Sequence, residues 1–168
     1  PLKQEDLSEM PFYLEPLYIY ASPGHRLNDL KKVNEKELST GDVYLLTEGH
    51  CFRDQVLNLC RVKKGAPRKK VSFESGSLQT LKRLVDETDG YTLLPELAAD
   101  DLVSASDKSR LRPFADPVPV RELSLVTHRS FVKTKMLEAL ATEIKAALPS
   151  KGDPKKKEIV PIFAQGRK

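Results

Sequence analysis

The sequence predicts an α/β fold, a parallel or mixed sheet covered by helices. Aromatic and β-branched stretches alternate along the 168 residues with segments whose apolar side chains recur at helical spacing. Helix punctuation agrees, because Asn34 and Ser77 stand where side-chain caps are needed and Gly90 and Pro149 stand where helices must stop.

In chain order, residues 12–20, "FYLEPLYIY", read as a strand that ends at the turn signal "SPGH". Asn34 caps a short helical turn, "EKEL", and "VYLL" (43–46) is a short apolar strand. "EGH" leads into a helix over residues 51–60. "KKVSFES" (69–75) alternates as a strand does, with Val71 and Phe73 on one face. Ser77 caps "LQTLKRLVDETDG", whose Leu78, Leu81, Leu84 and Val85 form a helical stripe ended by Gly90. "YTLLP" (91–95) is a buried strand stopped by Pro95, and "ELAADDL" a short helical turn. "RELSLVTHR" (121–129) alternates as a strand. "KTKMLEALATEIKAAL" (133–148) is the longest amphipathic helix and stops at Pro149. Residues 1–148 thus read as one domain and residues 149–168 as a basic tail, within which "EIVPIFA" can form one more strand.

The totals exclude several functional classes. Apolar residues at 39% and charged residues at 31% describe a soluble globular chain, without the run of about 18 apolar residues that a membrane span requires. Two cysteines do not make a secreted disulfide scaffold, which points to the reducing cytoplasm. The net charge of +4 is concentrated in "KKGAPRKK" (63–70) and "KGDPKKK" (151–157). No aromatic residue interleaves with these lysines, so solvated loops are the simpler reading and contact with nucleic acid the sharper one. A structural zinc site needs four ligands, yet only His50 lies beside Cys51, with His25 and His128 far along the chain. Without a phosphate-cradling glycine loop either, no cofactor or metal is expected.

The chemistry that remains lies in "GHCFRDQVLNLC" (49–60). On a helix over these residues, nine steps of about 100° put Cys51 and Cys60 on opposite sides of the axis, about 13 Å apart along it. A disulfide needs Cα atoms within about 7 Å, so the two sulfurs can bond only if the helix unwinds. Cys51 stands at the helix start, where unpaired N–H groups favour a thiolate and His50 and Arg53 can add positive potential. A thiolate there is the form that attacks peroxide to give a sulfenic acid. Cys60, in "LNLC", has apolar neighbours and reads as an ordinary neutral thiol, able to resolve that acid if it comes within reach. Asp54 shares a face with Cys51 and acts against the thiolate, unless it caps the helix or accepts a hydrogen bond from peroxide. From spacing and neighbours alone, two unrelated structural thiols are the simpler reading and a reactive pair the sharper one.

"EGHCFRDQVLNLC", then "SFESGSLQTLKRLV", then "GYTLLPELA" resembles the regulatory domain of peroxide-sensing LysR-type transcription regulators, over residues 12–148. The most specific part is G-H-C-x-R-D-Q with a second cysteine nine residues on; the serine-leucine helix and "TLLP" are general to LysR-type regulators. The resemblance implies a periplasmic-binding-protein-like (type II) fold of two α/β subdomains, of which this chain holds largely subdomain II and the C-terminal return to subdomain I. It implies that Cys51 is the peroxide-reactive thiol and Cys60 its disulfide partner, with His50, Asp54 and Arg121 around the peroxide. It further implies a dimer or tetramer packed through the helix at 77–87, reduction by cellular thiols, and promoter DNA bound by a winged helix-turn-helix that this sequence, beginning at Pro1, does not include. Such a domain is a sensor and not an enzyme with turnover. The competing readings are a LysR-type domain for a small metabolite with incidental cysteines, and a thiol peroxidase.

Overall fold

The computed structural model describes residues 5–39, 41–60, 74–102, 104–148 and 156–161. The basic run at 63–70, Val71 and Phe73 of the strand expected over 69–75, and much of the tail lie outside them.

Strand β1 (Leu7–Ala21) is the spine of the fold. Its first part pairs antiparallel with β6 (Val118–His128), from Leu7 opposite His128 to Pro16 opposite Val120. Its last part lies between two antiparallel neighbours, β4 (Tyr91–Pro95) and β5 (Leu111–Pro113). The prolines of β1 fall where the ladder tolerates a missing N–H. Pro11 adjoins a register shift, and Pro16 stands where pairing passes from β6 to β5. Between β5 and β6 the chain leaves the ladder, and Phe114 enters the core and bridges Val33.

Parallel pairing surrounds this spine. β2 (Leu45–Leu46) pairs with β3 (Glu74–Ser75), and β6 pairs with β7 (Lys157–Ile159). The β2 segment also joins β4, since Tyr44 N–H donates to the Tyr91 carbonyl at 2.8 Å and Tyr91 N–H to that of Asp42 at 2.9 Å. A Cβ on Gly90 would stand 2.5 Å from the Asp42 carbonyl oxygen, so this close approach of two backbones requires a glycine. The sheet is therefore mixed, as expected; β7 overlaps only the start of the strand allowed for over "EIVPIFA", whose last three residues lie outside the described ones.

Side-chain alternation on β1 and β4 feeds two cores. Leu17, Ile19, Ala21, Tyr91 and Leu93 join Phe52, Val56 and Leu59 on one face. Tyr20 and Leu94 join Val85, Ala99 and Leu102 on the other. Because both faces are covered, "YTLLP" is buried at every position and does not alternate. Helices α1 (Cys51–Leu59), α2 (Leu78–Glu87), α3 (Glu96–Asp100), α4 (Ala105–Ser109) and α5 (Thr134–Ala147) complete the fold. The Ser77 hydroxyl accepts from Thr80 N–H at the start of α2, as its position predicts. Four elements exceed the sequence expectation. β1 begins at Leu7, α4 and β5 follow the Leu102 turn, and β6 begins at Val118. In the three strands, tertiary pairing supports a stretch too polar or too short to mark itself in sequence.

Candidate functional site

Helix α1 follows the turn "TEGH", in which Gly49 takes a φ of +95°, a conformation that any other residue adopts only under strain. His50 is the N-cap residue with an extended backbone, and Cys51 is the first helical residue. The helix ends at Leu59, and the cap residue Cys60 still bonds the Val56 carbonyl through its N–H at 3.0 Å. Both cysteines are free, Cys51 exposed and Cys60 buried. The expectation of one thiol at each end of a short helix therefore holds, and the difference in their surroundings is large.

The exposed end gathers three of the expected site residues. His50, Cys51 and Asp54 all face solvent. Arg53 does not join them on that face. It is buried, and its Nη1 donates to the Leu46 carbonyl at 2.7 Å, fastening α1 to β2. Arg121 approaches from β6 and lies over the Phe52 ring, 5.6 Å from its centroid. Its Nε donates to Glu15, whose other oxygen accepts from Leu97 N–H at 3.0 Å. Glu15 is fully buried in β1, so its charge relies on Arg121 and on the α3 amide. Beside it the Tyr13 hydroxyl donates to Glu96, also buried. Burial and the adjacent Glu96 carboxylate hold the Tyr13 hydroxyl firmly protonated. This ion pair sits where β1 passes from one neighbour to the next, one aromatic ring from the cysteine helix.

The buried end is lined differently. Cys60 Sγ lies 3.5 Å from the Tyr91 hydroxyl, which donates to the Ser39 carbonyl at 2.8 Å. Burial pushes the Cys60 thiol up to about 11, with the Asp42 and Glu35 carboxylates adding to the rise. Behind Tyr91, 5.8 Å between ring centroids, His25 accepts from Leu27 N–H at Nδ1 and meets Asp42 through Nε2 at 3.2 Å. Two side chains on α1 reach the C-terminal segment. Gln55 Nε2 donates to the Val160 carbonyl at 3.0 Å and Asn58 Nδ2 to that of Pro161 at 2.9 Å. Sequence reasoning singled out neither these nor Glu15 and Tyr91. Gln55 could have been found, since it closes the G-H-C-x-R-D-Q motif, and so could Glu15, a lone carboxylate inside an apolar strand. Tyr91 carries no such mark.

Among the described residues no group of three or more His, Cys, Asp or Glu is placed to hold a metal ion. No helix among them is long and apolar enough to cross a membrane. What the arrangement offers chemically is a thiol open to small solutes and a second thiol stored out of reach on the same helix.

The sequence model of the family described as "LysR substrate binding domain" matches residues 1–149. A probable hydrogen peroxide-inducible genes activator of Mycobacterium leprae is 36% identical over 125 residues, covering 74% of this chain and 40% of that protein. The DNA-binding transcriptional dual regulator OxyR of Escherichia coli K12 is 29% identical over 158 residues, covering 94% of this chain and 51% of that protein. The chain thus spans about half the length of the curated relatives it matches or less. Among solved structures, OxyR from Porphyromonas gingivalis superposes with a TM-score of 0.79 at 30% identity, over 95% of this chain and 72% of that one.

Proposed function

Because this chain belongs to the LysR substrate-binding domain family, with a periplasmic-binding-protein-like fold, we propose that it is the peroxide-sensing part of a DNA-binding transcription regulator. The observation that carries the proposal is the unequal pair of thiols on α1, exposed Cys51 at its start and buried Cys60 at its end. Relatives named as hydrogen peroxide-inducible activators support it.

In the first step the Cys51 thiolate attacks one oxygen of hydrogen peroxide. An S–O bond forms, the O–O bond breaks, and hydroxide leaves and is protonated to water. Sulfur is oxidised to the sulfenic acid and peroxide is reduced. In the second step Cys60 sulfur displaces the sulfenic oxygen. An S–S bond forms, the S–O bond breaks, and the Cys60 proton departs with hydroxide as water. The second step requires α1 to unwind, because its intact length keeps the thiols about 13 Å apart. In this reading His50 and Asp54, exposed beside Cys51, contact the approaching peroxide, with Arg121 over the Phe52 ring of the same helix. Arg53 acts on the thiolate only through the α1 backbone it anchors to Leu46. Loss of the helix changes the packing of the domain within a homodimer or tetramer on promoter DNA, and cellular thiols reset it.

The test is one equivalent of hydrogen peroxide followed by mass spectrometry of the peptides. A 51–60 linkage is expected, with Cys60→Ser stopping at the sulfenic acid or at mixed disulfides, and Cys51→Ser unreactive. A protein that leaves Cys51 reduced, or that binds a small metabolite with the same response in Cys51→Ala, defeats the proposal.

A further inference from the structure

We propose that Tyr91 is a positioning residue for the second thiol: its hydroxyl holds Cys60 in the core, and breaking that contact is part of the barrier to disulfide closure. The inference rests on the sensor reading above and assigns a role that the reading leaves open, namely what retains Cys60 after Cys51 has reacted.

The direction of the contact follows from counting protons. A tyrosine hydroxyl has one proton and two acceptor positions. The Tyr91 proton is committed to the Ser39 carbonyl at 2.8 Å. A hydroxyl that donated to the sulfur would favour the thiolate; this one, its proton already engaged, can only accept, so the 3.5 Å contact runs from Cys60 S–H to Tyr91 oxygen. The bond therefore exists only while Cys60 carries its proton. Burial favours the neutral thiol independently of this contact.

Tyr91 is itself held in place. It is fully buried at the start of β4, its N–H bonds the Asp42 carbonyl and its carbonyl accepts from Tyr44 N–H. Its ring packs near His25, which is tied to Asp42. The acceptor is thus built into the sheet, whereas Cys60 belongs to the end of a helix that must open. When α1 unwinds, the sulfur leaves and the acceptor stays. Closure then proceeds as written above: Cys60 sulfur bonds to Cys51 sulfur, the S–O bond of the sulfenic acid breaks, and the Cys60 proton leaves in water.

Tyr91→Phe keeps the ring and removes the acceptor. Sulfenic acid formation at Cys51 and closure of the 51–60 bond are timed in the same protein by quenching peroxide reactions with a sulfenic acid trap. The variant is expected to raise the rate of closure relative to that of sulfenic acid formation about fivefold, the factor set by one ordinary hydrogen bond. An unchanged ratio overturns the role of Tyr91 and leaves the sensor reading standing; a parent protein that forms no 51–60 bond overturns both. A second measurement needs no oxidation and no folded Tyr91 variant. In Cys51→Ser the infrared S–H stretch reports Cys60 alone, and it is expected at the lowered frequency of a donating thiol. A band at the frequency of an unbonded thiol overturns the proposal.

Discussion

Cys60 shows how far a single side chain can be moved by its surroundings. Burial carries its thiol from an ordinary value of 9.0 to about 11. In the unfolded chain the thiol ionises near its ordinary value, so between the two values the unfolded state binds fewer protons than the folded one. The stabilisation from keeping Cys60 neutral is therefore complete below about pH 9 and is lost as pH rises through about 11. Urea unfolding of Cys51→Ser and of the same protein with Cys60→Ala should show the difference between them shrinking over that window, by at most about 2–3 kcal/mol. A difference constant from pH 7 to 11 would mean that Cys60 is not sealed. At this scale the sequence was a partial guide. The apolar neighbours in "LNLC" indicated a neutral thiol correctly, because local burial follows local composition. They could not indicate Tyr91, which arrives from 31 positions away.

The cysteine helix is an element with few intrinsic supports. It has nine residues, and its N-cap side chain, that of His50, makes no capping hydrogen bond. Its stability comes from neighbours, through the apolar face of Phe52, Val56 and Leu59, the Arg53 link to Leu46, and the two amides that reach Val160 and Pro161. Since β7 pairs with β6 beside those last contacts, the helix end and residues 157–161 should open as one unit. Gln55→Ala and Asn58→Ala are each expected to lower hydrogen-exchange protection by about 1 kcal/mol in both segments together. Loosening confined to α1 would separate the two. The helix itself was legible in sequence, with "EGH" leading into it. Its dependence on the C-terminal segment was not, because a strand of three residues leaves almost no periodicity to read.

Over the whole molecule, the two ends of β1 differ in cover. The end paired with β4 and β5 has buried cores on both faces. The end paired with β6 is half-buried, and α5 buries only Ala141 completely. Val126, Met136, Leu140 and Ile159 are left 43–54% exposed. Apolar surface of this kind binds hydrophobic dyes. The chain is expected to enhance ANS fluorescence when folded, and Met136→Glu with Leu140→Glu to reduce that signal while changing stability by no more than about 0.5 kcal/mol. Undiminished dye binding in the double variant would place the responsible surface elsewhere. The amphipathic pattern of residues 133–148 predicted the helix, and the structure forms it, but periodicity names an apolar face without naming what covers it.

Local rules were enough to announce the alternation of strands and helices, the capped start of α2, the short cysteine helix and the separation of its two thiols, because each depends on residues within one or two turns of each other. Folding settled the rest: a sheet of mixed direction running through a single long β1, Arg53 turned inward to Leu46, Arg121 paired with Glu15, and Cys60 set against Tyr91. Arg121 with Glu15 and Cys60 with Tyr91 join residues far apart in the chain, and even the Arg53 link to Leu46 crosses from one element to another. Which partner a buried charge or thiol finds is decided by the geometry that brings strands together, and no local pattern encodes it.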